Sequence, residues 1–149
     1  MHESKPSPLV GIVLFALAAL FAWGLTSFAR PCDAAVADAA SGCRWAHRAL
    51  LAMDGVLGII SLVRVFELDE GERRGLSFCA ALVGALIAAT PGLVIALCQD
   101  PTAQCQAHLR PLALAVGITV AIVGGADLVR RLLAIGRPSH AGPAHAPLD

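Results

Sequence analysis

Four apolar runs, each long enough to cross a lipid bilayer, constrain this chain more than any other feature. Leu9 to Ala29 is 21 residues without a charge, and Leu76 to Cys98 is 23 residues without one. Ala49 to Phe66 spans 18 residues and holds Asp54 and Arg64, while Pro111 to Val129 spans 19 and holds Asp127. A helix rises ~1.5 Å per residue, so ~20 residues cross a ~30 Å hydrocarbon core. Only 15% of the 149 residues are charged and 57% are hydrophobic, against ~25% charged in soluble proteins. Four buried helices in so short a soluble chain leave too few polar residues to cover them. The expected fold is all-α, an integral membrane four-helix bundle with spans at 9–29, 49–66, 76–98 and 111–129.

The first run is longer than the ~7–15 residues of a signal h-region, and its charged leader is Lys5 alone. The segment Phe28-Ala29-Arg30-Pro31-Cys32 is a poor cleavage site, so the run reads as a retained span. Basic residues set orientation, because cytoplasmic loops carry an excess of them. Lys5, Arg64, Arg73, Arg74, Arg130, Arg131 and Arg137 fall on one side, and Arg30, Arg44, Arg48 and Arg110 on the other. That bias places both termini in the cytoplasm and Trp23 and Trp45 near the outer interface. Two tandem transmembrane hairpins result, joined by the charged linker 67–75. A transmembrane domain over residues 1–135 is followed by a Pro- and His-containing tail at 136–149 that is expected to be disordered. Equal numbers of basic and acidic residues, eleven each, give no nucleic-acid footprint.

In this topology four of the five cysteines share the outer side. Cys32 follows the first span, Cys43 precedes the second, Cys98 ends the third, and Cys105 precedes the fourth. Cys79 lies inside the third span. An even number of outer cysteines in an oxidising compartment reads as disulfides. Three connectivities are open. The local pairs Cys32–Cys43 and Cys98–Cys105 are favoured because each closes one short loop, and a cross-hairpin pairing would staple the two halves together.

Two other chemistries compete. A thiol-disulfide relay uses two outer cysteine pairs as well, but usually requires a reactive Cys-x-x-Cys turn, and the chain has none. Cys43 with His47 at i+4, and Cys105 with His108 at i+3, bring thiolate and imidazole to one helical face, the makings of a weak zinc or copper site. That arrangement leaves Cys32 and Cys98 without a role. No cofactor is expected.

The strings Arg30-Pro31-Cys32, Gly42-Cys43-Arg44-Trp45 and Cys98-Gln99-Asp100-Pro101, with Cys105 and Arg110-Pro111, resemble an uncharacterised bacterial family. It is a domain-of-unknown-function family of small four-span membrane proteins with paired outer cysteines. The resemblance runs from the first span through Val129 and implies the topology above. In that family a histidine commonly follows the second cysteine of each pair. Here Arg44 and Gln106 stand in those places, which further weakens the metal reading.

Within the spans, helical spacing aligns small and polar residues into faces suited to close packing in lipid. Asp54, Gly58, Ser61 and Val65 share a face of the second span. Ser77, Gly84, Ala88 and Pro91 share one of the third, and Gly117, Gly124 and Asp127 one of the fourth. Pro91 is expected to kink the third helix. Asp54 stands five residues inside the second span and needs a proton, a partner or water. Thr90 or a group on another helix is the expected partner. Arg64 and Asp127, both near the cytoplasmic ends, are placed to pair.

Signatures of phosphate loops, zinc proteases and serine hydrolases are absent from the sequence. The expected role is therefore a non-enzymatic integral membrane protein of the inner (cytoplasmic) membrane, an accessory or oligomeric subunit of a larger transport or envelope complex. Its partners are the lipid bilayer and other integral membrane proteins or further copies of itself. The alternatives are a small membrane thiol-disulfide oxidoreductase, or a small transporter or metal-handling protein using Asp54 and the outer Cys/His cluster.

Overall fold

A computed structural model describes residues 9–29, 39–66, 69–97 and 105–135. Within them lie four α-helices and no strand: α1 Leu9–Ser27, α2 Ala39–Phe66, α3 Glu70–Ala89 and α4 Arg110–Ile135, the last preceded by a π-helical turn at Cys105–Leu109. The expected all-helical class holds. Three stretches are long and apolar enough to cross a membrane: Leu9–Ser27, Gly42–Phe66 and Cys105–Ala134. The proposed tail at 136–149 and the leader before Leu9 lie outside the described residues.

Four boundaries differ from the sequence expectation by six residues or more, among them the end of α4, which runs to Ile135 rather than Val129. Helix α2 starts ten residues earlier than Ala49, because Ala39–Arg48 places Cys43 and Ala46 on the same buried face as Leu50 while Arg44 and Arg48 stay exposed. Helix α3 absorbs most of the charged linker into its first turns, with Glu72, Arg73 and Arg74 helical. It stops at Ala89 rather than running to Cys98. Pro91 therefore ends the helix instead of kinking it, since its ring brings no N–H to the ladder. Beyond it, Gly92 takes φ +107°, a conformation that glycine alone adopts without strain. The Gly92 N–H donates to the Ile95 carbonyl at 3.0 Å and the Ile95 N–H to the Thr90 carbonyl at 3.0 Å. Leu93 and Val94 both return their N–H groups to the Ala89 carbonyl at 3.2 Å. The turn thus keeps its donors paired without water, as an apolar setting demands.

Around the assembly α1 packs on α2 and α4, and α3 on α4 and α2. Each of these four packed pairs is antiparallel. Gly11 near the start of α1 meets Val65 at the end of α2, and Gly24 meets Leu112. The closest approach is between α3 and α4, backbone against backbone. A Cβ on Gly84 would lie 2.6 Å from the Ala121 nitrogen, and one on Gly117 2.5 Å from the Ala88 nitrogen. One on Gly124 would lie 2.9 Å from the Ala81 nitrogen. Real Cβ atoms do not come so near, so these glycines set the helix separation. The small-residue faces of the third and fourth runs pack as their spacing suggested. Gly58 of α2 does not, because a Cβ there would meet nothing within 4 Å.

The exterior, not the interior, sets this assembly apart from a soluble protein, because the core is largely apolar and so is the surface. Large apolar side chains such as Ile12, Leu20, Ile59, Leu86, Ile122 and Leu133 face outward. Asp54, Ser61, Arg64, Ser77 and Thr90 are buried. An apolar exterior this continuous is what a lipid solvent selects.

The helix separation gives a test. Gly117→Ala must push α3 from α4 and is expected to lower stability by about 1–3 kcal/mol, the usual scale of overpacking. Gly58→Ala has room and is expected to be neutral or to gain up to about 1 kcal/mol of helix propensity. Reversible unfolding in mixed micelles, followed by circular dichroism, reads both.

Candidate functional site

Three of the five buried polar groups among the described residues lie along one stripe of α2. Cys43, Ala46, Leu50, Asp54, Leu57, Ser61 and Arg64 are all buried, and steps of three and four residues keep them on one helical face. Twenty-one residues separate Cys43 from Arg64, about 31 Å at ~1.5 Å per residue. The stripe has a disulfide at one end, an arginine–aspartate network at the other, and a carboxyl group between.

At the arginine end, Arg64 crosses the assembly from α2 to α4. Its Nη2 donates to Asp127 Oδ2 at 2.5 Å and its Nη1 to Ser77 Oγ at 2.7 Å. Arg131, one turn beyond Asp127, donates its Nε to the same Oδ2 at 2.7 Å. The Ser77 hydroxyl lies 2.8 Å from Asp127 Oδ2 and 2.7 Å from the Arg73 carbonyl, so its single proton has two acceptors in reach. The Arg64 and Asp127 side chains are only 4% and 12% exposed. One carboxylate therefore serves two guanidiniums, and three helices meet on it.

At the disulfide end, Cys43 is bonded to Cys105, with Cα atoms 6.3 Å apart. This overturns the favoured local pairs Cys32–Cys43 and Cys98–Cys105 and selects a cross-hairpin connection. The physical reason is the early start of α2 and the helical turn at 105–109, which carry both cysteines inward onto facing helix ends. Both residues are fully buried. Cys32 and Cys98 lie outside the described residues. Cys79 is a free, exposed cysteine on α3.

The histidines turn to other tasks. The His47 ring Nε2 lies 3.0 Å from the Leu25 carbonyl and so ties α2 to α1. His108 is exposed and stands edge-on to Phe28 at 6.2 Å between ring centroids. Cys43 and Cys105 spend their sulfurs on each other, and the described residues contain no group of three or more metal-ligating side chains. Trp23 and Trp45 are both exposed at this end, and the Arg48 guanidinium sits 5.9 Å from the Trp45 ring centroid.

Asp54 occupies the middle. It lies eleven residues from Cys43 and ten from Arg64, deeper than its place in the apolar run suggested, because α2 begins before that run. Only 7% of the residue is exposed, and its Oδ1 has no hydrogen-bond partner among the described residues. Thr90 is not that partner. Its hydroxyl donates to the Leu86 carbonyl at 2.7 Å and lies 3.6 Å from the Met53 sulfur.

Apolar recesses offer no chemistry of their own. An open groove of about 520 Å³ between α3 and α4 is lined by Ala85, Ala89, Leu114, Ile118, Ala121 and Ile122, among others, without a charged group. From sequence, Arg131 counts only toward orientation, although its i+4 spacing from Asp127 also signals this pair.

Residues 13–130 match the model of a domain of unknown function, DUF4418, and the chain belongs to that family. No curated protein and no solved structure matches it.

The buried network predicts an asymmetric mutational response. Asp127→Ala leaves two guanidiniums without their carboxylate and is expected to lower stability by about 3–5 kcal/mol, as for other broken buried pairs. Replacing both partners by apolar residues of similar size, R64M with D127L, is expected to recover most of that loss. Unfolding midpoints of the single and double variants in the same micelles give the comparison.

Proposed function

We propose that this member of the family is a four-span protein of the inner (cytoplasmic) membrane, with both termini in the cytoplasm. We propose also that it acts as a non-enzymatic subunit, associating laterally with other membrane proteins or with further copies of itself. The observation that carries the reading is the pair of ties at the two ends of α2. They stand about 31 Å apart, at ~1.5 Å per residue, which is close to the ~30 Å hydrocarbon thickness. A buried disulfide belongs to the oxidising face. Arg64, Arg73, Arg74, Arg130 and Arg131 gather toward the opposite end, as cytoplasmic flanks do.

In this reading α3 contributes the third crossing by a combination of helix and turn. Gly75 to Ala89 is fifteen residues, about 22 Å of helix at ~1.5 Å per residue. The apolar segment 90–97 continues in the same direction, since Ala96 lies against Gly42 near the start of α2. Irregular backbone at such depth is tolerated where protein covers it.

The non-enzymatic reading rests on what the exterior offers. The described surface is mostly apolar side chains, so the interactions open to it are with lipid tails and other membrane helices. A thiol oxidoreductase needs a disulfide that a substrate thiolate can approach. Cys43 and Cys105 are both fully buried, which favours a structural bond.

Reporter fusions test the topology. A fluorescent protein that folds only in the cytoplasm is expected to light at both termini and within 67–69. A phosphatase active only outside is expected to work when inserted at 100–102. An active phosphatase at the C-terminus with a lit N-terminus means an odd number of crossings and overturns the reading. For lateral association, photo-crosslinkers at Ile122 and Ile59 are expected to give defined protein adducts in native membranes. Adducts to lipid alone at every exposed position refute it.

A further inference from the structure

Two irregularities fall at the same depth, on helices that touch. The first is the buried Asp54 carboxyl with its unpartnered Oδ1. The second is the end of α3, whose Thr90 hydroxyl lies 3.6 Å from the sulfur of Met53, the residue beside Asp54. The register on α4 agrees with this placement. Ala88 packs on Gly117, which is twelve residues from Cys105 and ten from Asp127. Helix α3 thus stops near the mid-depth of α2 and α4 alike.

The break removes two backbone donors from the α3 ladder. In an unbroken helix the Ile87 carbonyl receives the N–H of residue 91 and the Ala88 carbonyl that of residue 92. Residue 91 is proline and has no N–H, and the Gly92 N–H goes to the Ile95 carbonyl instead. A helix C-terminus also carries a partial negative charge. The mid-depth region therefore holds a carboxyl group and a carbonyl-rich helix end, with a surplus of acceptors over donors.

Among the described residues, no charged side chain stands ready to balance it. Helix α1 has no titratable residue from Leu9 to Ser27. Helix α3 carries its acidic and basic residues in its first turns, and after them only Cys79, which is exposed. On α4 the charges are Arg110 at one end and Asp127, Arg130 and Arg131 at the other. On α2 itself Arg48 is exposed six residues away, and Arg64 is committed to Asp127 and Ser77. The smallest cation that relieves an unpartnered carboxyl group in an apolar interior is a proton. A carboxylic acid gains one O–H donor and keeps acceptor capacity.

We propose that Asp54, at the depth where α3 breaks, is an exchangeable proton-binding site at the middle of the membrane-crossing helices. It rests on the reading that the helices span a bilayer, and it adds an ionic activity to that reading. Discontinuous helices whose carbonyl ends face a cation site are an established way of building such sites in membranes. An ionisable group at this depth is costly unless it is used.

Dicyclohexylcarbodiimide, applied to the full chain in phosphatidylcholine vesicles, tests it. The protonated carboxyl adds across one C=N bond, its oxygen joining the central carbon and its proton passing to nitrogen. The acyl group then migrates to nitrogen to leave a stable N-acylurea, with no leaving group and no oxidant. Peptide mapping is expected to find this adduct at Asp54. Its yield should fall about tenfold for each pH unit above the midpoint, as the protonated fraction does. Asp54→Asn should abolish the adduct and Glu72→Gln, at an exposed position in the first turns of α3, should leave it in place, while a water-soluble carbodiimide should label Asp54 poorly.

Absence of the adduct from about pH 5 to 9, in vesicle-inserted chain that retains the Cys43–Cys105 bond, overturns the proposal. So does an adduct whose yield ignores pH across that range, since the proton is then not exchangeable. Equal labelling by the water-soluble reagent also overturns it, because Asp54 is then simply wet. The pH profile uses the unmodified chain, so a misfolding variant cannot obscure it. An error in the proposed topology appears in the reporter fusions and not in this label.

Discussion

The ion pair between Arg64 and Asp127 is the interaction on which the arrangement of the helices depends. On a wet surface such a pair contributes ~1 kcal/mol or less, because either partner can turn to water. Here Arg64 is buried and Asp127 is largely covered behind an apolar exterior, and parting them strands a charge. Helix α2 is thereby held to α4, and Ser77 brings α3 into the same hydrogen-bonded group. The Cys43–Cys105 bond repeats the tie at the other end. The two sequential hairpins are held by shape, α3 on α4 through backbone contact at Gly84 and Gly117 and α1 on α2 where Gly11 meets Val65. Between the hairpins, the strongest specific links are these two ties.

That division explains which features could be read from sequence. The helix cores were legible because their apolar length is set by the solvent, and the α3–α4 face because glycine spacing at Gly84, Gly117 and Gly124 reports close approach. Pairing of Arg64 with Asp127 followed from their equal depth. What escaped depends on the third dimension. The start of α2 was hidden because Arg44 and Arg48 interrupt the hydropathy of a segment whose inner face, Cys43 and Ala46, is apolar. The disulfide was misassigned because loop length argues for local closure, whereas helix ends facing each other across the assembly decide the pairing. The end of α3 was overlooked because Ala89 to Leu97 remains apolar through the break, and hydropathy does not separate helix from covered turn.

The distribution of hydrogen-bonding capacity along the axis connects these features. At the arginine end donors are in surplus, with Arg64 and Arg131 converging on one carboxylate oxygen. About 15 Å away, at ~1.5 Å per residue, acceptors are in surplus. There α3 has lost two donors to Pro91 and to the turned Gly92, and Asp54 has no partner for Oδ1. In water such imbalances cancel at once by solvation. In an apolar interior they persist, and each polar group left alone costs several times a surface hydrogen bond. The donor surplus is tolerable because guanidiniums are long and reach toward the interface. The acceptor surplus has no such outlet, since Asp54 has a short side chain and lies far from both ends. A mobile donor small enough to enter is the remaining way to balance it, and this is the physical reason to look for a proton at Asp54 rather than at the more conspicuous pair.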